Sequence, residues 1–186
     1  MKIHVSHSQL DTFRACRQKW AFRYKEGLRP RAQDSEPLRR GRLFHNVMDL
    51  AYGHWMADTP LPEILKEIEG IFPNPDADAD ELEMLALVKN MAARAFSQIH
   101  EEDTRAGLVP IATEVPFEAP IYDPKGKRVN GVKIRGIIDA LMYSKAENMI
   151  ITNEHKQTKS HVETIEKRIP FDPQISTYVD AVRHLL

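Results

Sequence analysis

The spacing of apolar residues changes period partway along this 186-residue chain, and that change restricts the fold more than any single motif does. Up to about residue 105 they recur every three or four positions, as on one face of a helix. Leu10, Phe13, Cys16, Trp20 and Tyr24 predict a first helix, capped by Ser8 and ending near Gly27, with Cys16 in the core. Residues 28–40 read as a loop. Leu43, Phe44, Val47, Met48, Leu50 and Ala51 then begin a second helix, and Pro60 and Pro62 set off a shorter one over roughly 62–71. A long helix follows near 79–102, acidic at its start as the helix dipole favours. Beyond that point Val, Ile and Thr dominate residues 110–121, 129–143 and 149–156, separated by the turn signals DPKG and KAEN, which predicts a three-strand meander. Asp172 and Pro173 suit the cap and first turn of a closing helix over 174–186. The expectation is one α/β domain over 1–186, helical over 1–105, with a small mixed sheet and a helix over 106–186. The last helix is still running at Leu186, which leaves open a longer protein.

Composition excludes several classes. No apolar run approaches the ~20 residues that cross a bilayer, and MKIHVSHSQ lacks the apolar core of a secretory signal, so a cytoplasmic protein without a membrane partner is expected. The single cysteine, Cys16, supplies neither a disulfide nor a four-thiolate site. A net charge of −1 conceals a polar distribution. Residues 1–45 carry 11 basic and 4 acidic side chains, and residues 58–118 carry 4 basic and 14 acidic ones. Such asymmetry points to an anionic partner that meets only part of the surface, and nucleic acid is the leading candidate. The acidic helices of that middle segment are expected to face away from it.

Asp139, within IRGIIDALMY, is the least expected residue in its surroundings. Aspartate is depleted in strands, and burying a carboxylate there without a compensating cation is costly. In MIITNEHKQ, Glu154 and Lys156 stand two apart and would leave one face of a strand together. Two acids and a lysine on neighbouring strands make a pocket for a hard divalent cation, with an ammonium to position a water; the competing reading is a structural ion-pair network. Glu114, in TEVPFEAP, reads as an exposed strand carboxylate rather than a residue that orients a metal-bound water.

Asp139 in GIID followed by Glu154-His155-Lys156 resembles the PD-(D/E)XK nuclease superfamily, and the surrounding chain resembles its RecB/AddB and CRISPR-adaptation exonuclease branch. Ser6, Ser8, Leu10, Phe13, Cys16, Lys19 and Trp20 match that branch's first helix, Gly41 and His45 its G-x-x-x-H helix, and Gln174 and Tyr178 its Q-x-x-x-Y helix. The second acid is Glu154 where the branch usually has Asp. The three further cysteines of the iron-sulfur members are missing, so no iron-sulfur cluster is expected from this chain.

The resemblance implies a restriction-endonuclease-like core and a metal-dependent DNA exonuclease of recombination, repair or phage DNA metabolism, bacterial or phage-encoded. Asp139, Glu154 and His45 would hold Mg²⁺ or Mn²⁺, and Lys156 would assist the attacking water. Gln174 and Tyr178, four apart on one helix face, would contact the substrate strand, and Arg14, Arg17 and Arg23 its phosphates. A helicase or recombination protein is a candidate partner. The alternatives are a non-catalytic nucleic-acid-binding subunit and a structure-specific endonuclease.

Overall fold

Twelve buried side chains from three helices and one strand form a continuous apolar core, and their spacing explains why these segments fold as they do. In a computed structural model describing residues 3–28, 35–73, 75–155 and 172–185, Phe44, Val47, Met48, Ala51 and Tyr52 come from α3 (Glu36–Met56). Ile64 and Ile68 come from α4 (Leu61–Gly70), and Val88, Ala92 and Phe96 from α5 (Ala79–Arg105). Each set repeats at three, four or seven residues, so it lies on one helix face. Ala140 and Met142 complete the core from the sheet. Burying each large aliphatic side chain in such a core is worth about 1.5–3 kcal/mol.

The sheet contains β1 (Ile3–Val5), β2 (Leu108–Tyr122), β3 (Arg128–Ser144) and β4 (Met149–Asn153). Its order is β1-β3-β2, with β4 also on β3. β1 runs parallel to β3, Ile3 opposite Val132, and β4 runs antiparallel, from Ala140 opposite Asn153 to Ser144 opposite Met149. The remaining helices are α1 (His7–Ala15), α2 (Arg17–Trp20), a π-helical turn (Ala21–Lys25) and α6 (Pro173–Leu185). The fold is thus mixed α/β, helical in its N-terminal half, with a small mixed sheet consistent with a restriction-endonuclease-like core. The meander is present, and β1 is a strand too short to leave a period in the sequence.

The chain divides into two compact units, and β2 and β3 run through both. One unit holds the described residues within 34–115 and 139–157, with α3, α4, α5, β4 and the core. The other holds those within 1–33, 116–138 and 158–186, with α1, α2, the π turn, β1 and α6. Among the described residues no helix is long and apolar enough to cross a membrane.

Local chemistry moves several boundaries. α3 starts at Glu36, inside the segment read as loop. Pro37 fits its first turn, where its missing N–H costs nothing, and Glu36 pairs with Arg40 at 3.2 Å. Asp78 caps α5, accepting from the Glu81 N–H at 2.9 Å. The first helix is not continuous. Ser6, not Ser8, caps α1, and at Cys16 the backbone becomes extended (φ −160°, ψ 109°) before α2 begins, the Cys16 Sγ accepting from the Lys19 N–H. Cys16 is therefore exposed rather than core, because the break interrupts the helical repeat.

β4 ends at Asn153, short of the expected 156. The reason lies in the next residues: the His155 N–H donates to Asp139 Oδ2 at 2.7 Å, so an amide that would continue the ladder is spent on a side chain. Glu154 therefore lies just past the strand, and Lys156 falls outside the described residues.

Gly136, also on β3, has a packing reason to be glycine. A Cβ there would stand 2.7 Å from Cε1 and 2.9 Å from Cζ of Phe117. That ring is buried and packs edge-on against Tyr178 of α6, centroids 5.6 Å apart, so it has little room to yield. Gly136→Ala should destabilise the protein by about 1–3 kcal/mol, the usual cost of overpacking. In denaturant melts, Phe117→Leu in the Gly136→Ala background should recover part of the loss; additive effects of the two changes would contradict the clash.

Candidate metal centre

Asp139 reaches its position through strand alternation. Ile138 and Ala140 are buried on one face of β3, so Asp139 points to the other, its side chain 12% exposed. His45, on α3, brings Nδ1 to 3.5 Å from Asp139 Oδ1, and is Asp139's ion-pair partner among the described residues. Glu114 of β2 joins them. One ligand atom from each of His45, Glu114 and Asp139 lies within 4.8 Å of the others. All three residues belong to the same compact unit.

Glu114 is the residue whose sequence reading changes most. It is exposed, as read, yet it stands in the cluster. Its φ of 46° is left-handed, uncommon for a non-glycine residue and costing roughly 1–2 kcal/mol. A single irregular residue inside a strand re-aims a side chain, and composition gives no warning of it. Partial burial of its carboxyl end, with Asp139 and Asp49 adding repulsion, pushes the Glu114 carboxyl up, while His45 pulls it down. Asp49 sits one helical turn after His45, which places a third acidic group near this centre.

The chemistry of this donor set fits a hard divalent cation: two carboxylates and an imidazole, with repulsion that a cation would relieve. A cleft of about 370 Å³ opens onto the group, lined by Pro37, Leu38, Gly41, Arg42, His45, Asn46, Glu114 and Asp139. Gly41 has open space beside its Cα, so the helix turn before His45 does not obstruct the cleft. A larger cavity, about 550 Å³, is lined by Glu36, Arg39, Asp80, Glu83, Met84 and Leu87; it contains no member of the group.

The other sequence candidates are placed as follows. Glu154 is half-buried just past β4, in the same unit as His45 and Asp139, and outside the three-residue group. His155 is buried, stacks on Tyr52 with centroids 5.5 Å apart, and is held below the usual histidine range by burial, against the pull of Asp139. Gln174 and Tyr178 share a face of α6, the Gln174 side-chain amide donating to the Tyr178 hydroxyl. Tyr178 is buried and packs edge-on against Phe117. Arg14, Arg17 and Arg23 are exposed; Arg17 lies over the Phe13 ring and Arg23 over the Tyr24 ring.

A cation that binds the folded chain raises its stability by about 2.7 kcal/mol at a hundredfold excess over Kd, or roughly 5–10 °C in Tm for a chain of this size. Thermal melts with and without Mn²⁺ should show that rise. Glu114→Gln and Asp139→Asn should reduce it by more than half, while Glu114→Gln leaves the metal-free Tm unchanged or higher because it removes a repulsive charge. An equal Mn²⁺ response in both variants would exclude the cluster as the binding site.

The wider comparison agrees with this geometry. No curated protein matches the chain. Residues 4–186 match the sequence profile of the PD-(D/E)XK nuclease superfamily, whose members are metal-dependent nucleases acting on DNA. A match over nearly the whole chain, together with a group of side chains able to hold a divalent cation, establishes that this chain belongs to the PD-(D/E)XK nuclease superfamily.

Proposed function

We propose that the protein is a Mg²⁺- or Mn²⁺-dependent DNA exonuclease of the RecB/AddB-like branch, acting in the cytoplasm on DNA ends during recombination, repair or phage DNA metabolism. The observation that carries the reading is the convergence of His45, Glu114 and Asp139 at a cleft, in a chain of this family. His45, Asp139 and Glu154 hold the cation in this reading, with Glu114 as a further ligand or as the acceptor that orients a water. The bound cation supplies Lewis acidity at the scissile phosphate and lowers the pKa of the attacking water.

The chain's own residues supply the rest. The Lys156 ammonium orients that water and offsets the charge that develops on the phosphate. Arg14, Arg17 and Arg23 grip the backbone of the strand, and the polar ends of Gln174 and Tyr178 touch it. The order of the sequence motifs supports the exonuclease branch: first helix, G-x-x-x-H, GIID, Glu-x-Lys and Q-x-x-x-Y.

Purified protein with Mn²⁺ should degrade linear DNA and leave closed circles intact. Asp139→Ala and Lys156→Ala should each lose at least about a hundredfold in rate, as expected when a charge-stabilising group is removed. Full activity in both variants would overturn the mechanism, and cleavage of circles at the linear rate would make the enzyme an endonuclease. Salt-sensitive DNA binding that persists without metal, with no cleavage under any divalent cation, would make it a binding subunit.

A further inference from the structure

The same helix that presents His45 to the candidate metal centre presents a second residue, seven positions later on the same face, to the segment that carries Glu154. This residue is Tyr52, 1% exposed and central to the core. It touches both neighbours of Glu154. Its hydroxyl accepts from the Asn153 side-chain amide at 3.2 Å, and its ring stacks on the His155 imidazole, 5.5 Å between centroids at an interplanar angle of 29°.

Those two neighbours are also tied to Asp139. Asn153 is the last residue of β4 in register with β3, opposite Ala140, and the His155 N–H holds Asp139 Oδ2 at 2.7 Å. One carboxylate oxygen is thereby fixed by a backbone donor, while the other, Oδ1, faces His45. Tyr52 is itself locked, edge-on to Phe96 at 5.5 Å and stacked on Trp55 at 5.9 Å. Burial, with Asp103 and Asp139 adding to it, holds its phenol above the usual range, so the hydroxyl stays neutral and able to hydrogen-bond.

We infer that Tyr52 and His155 are positioning residues of the candidate metal centre: their stack, with the Asn153 hydrogen bond, pins residues 153–155 so that the His155 N–H orients the Asp139 carboxylate and Glu154 is held at a fixed place between two anchored neighbours. The inference rests on the metal-centre reading above. It assigns His155 a role through its ring face and its backbone amide, with no part for its imidazole nitrogens as ligand or base. Residues that orient the ligands of a metal typically change affinity by 10–100-fold when removed, without touching the ion.

The test is Mn²⁺ binding to the full chain, by calorimetry without DNA, with circular dichroism to establish folding. His155→Ala, which removes the stack, should raise the Mn²⁺ Kd about tenfold or more. His155→Phe, which restores an aromatic face without any ring nitrogen, should return it to within about threefold of the starting protein. Tyr52→Leu should match His155→Ala, and the two together should be no worse than either alone, since they break one unit. If Tyr52→Leu does not fold, the two His155 variants decide the matter alone. A folded His155→Ala with unchanged Kd overturns the inference while leaving the metal centre intact. Equal impairment of His155→Phe and His155→Ala overturns it as well, in favour of a direct imidazole role. An absence of Mn²⁺ binding in the unaltered protein removes the metal centre and the inference with it.

Discussion

A single hydrogen bond, from the His155 N–H to Asp139 Oδ2, settles several features at once. It ends β4, because the amide cannot serve both the ladder and the carboxylate. It satisfies half of a carboxylate held in an otherwise apolar stretch of β3, where an unpaired charge would be expensive. It also orients the remaining oxygen toward His45. The end of the strand and the placement of Asp139 are therefore linked: pairing stops at Ala140 opposite Asn153, and the His155 N–H goes to the Asp139 carboxylate.

The core explains why this arrangement holds its shape. α3 runs 21 residues with Phe44, Val47, Met48, Ala51 and Tyr52 buried, and His45 occupies the edge of that buried stripe, half exposed at the cleft. A side chain on a long helix that is packed against α4 and α5 moves little, which suits a candidate metal centre. Glu114 makes the opposite compromise. Its left-handed backbone is strain held within a strand, and it aims a carboxylate at the same centre.

How far the sequence could be read follows from where each signal resides. The helices over α4 and α5 and the strand β3 were legible to within about three residues, since burial on one face imposes a period that the chain must carry. Asp139 stood out because it is a charged residue in an apolar strand, whereas His45 was singled out only through the resemblance of its helix to G-x-x-x-H. Glu114 was passed over since nothing in TEVPFEAP announces a positive φ. The start of α3 was misread because Pro37 looks like a breaker and acts as a first-turn residue, and the first helix because Cys16 keeps the spacing of a core position while the backbone breaks there. In each case a backbone choice at one residue overruled a pattern averaged over many.

The same limit applies to charge. The acidic middle of the chain is not one surface. Asp78, Asp80 and Glu81 stand at the start of α5, where the helix dipole and a capping bond account for them. Glu101, Glu102 and Asp103 crowd the other end of that helix, where the dipole opposes them. Burial, with Glu102 nearby, pushes the Asp103 carboxyl up. Glu114 belongs to the same stretch of sequence, on β2 rather than on its acidic helices, and stands at the candidate metal centre. A window of sequence measures charge along the chain, whereas a cation responds to charge in space. Here β2 carries one of the 14 acids of residues 58–118 to Asp139.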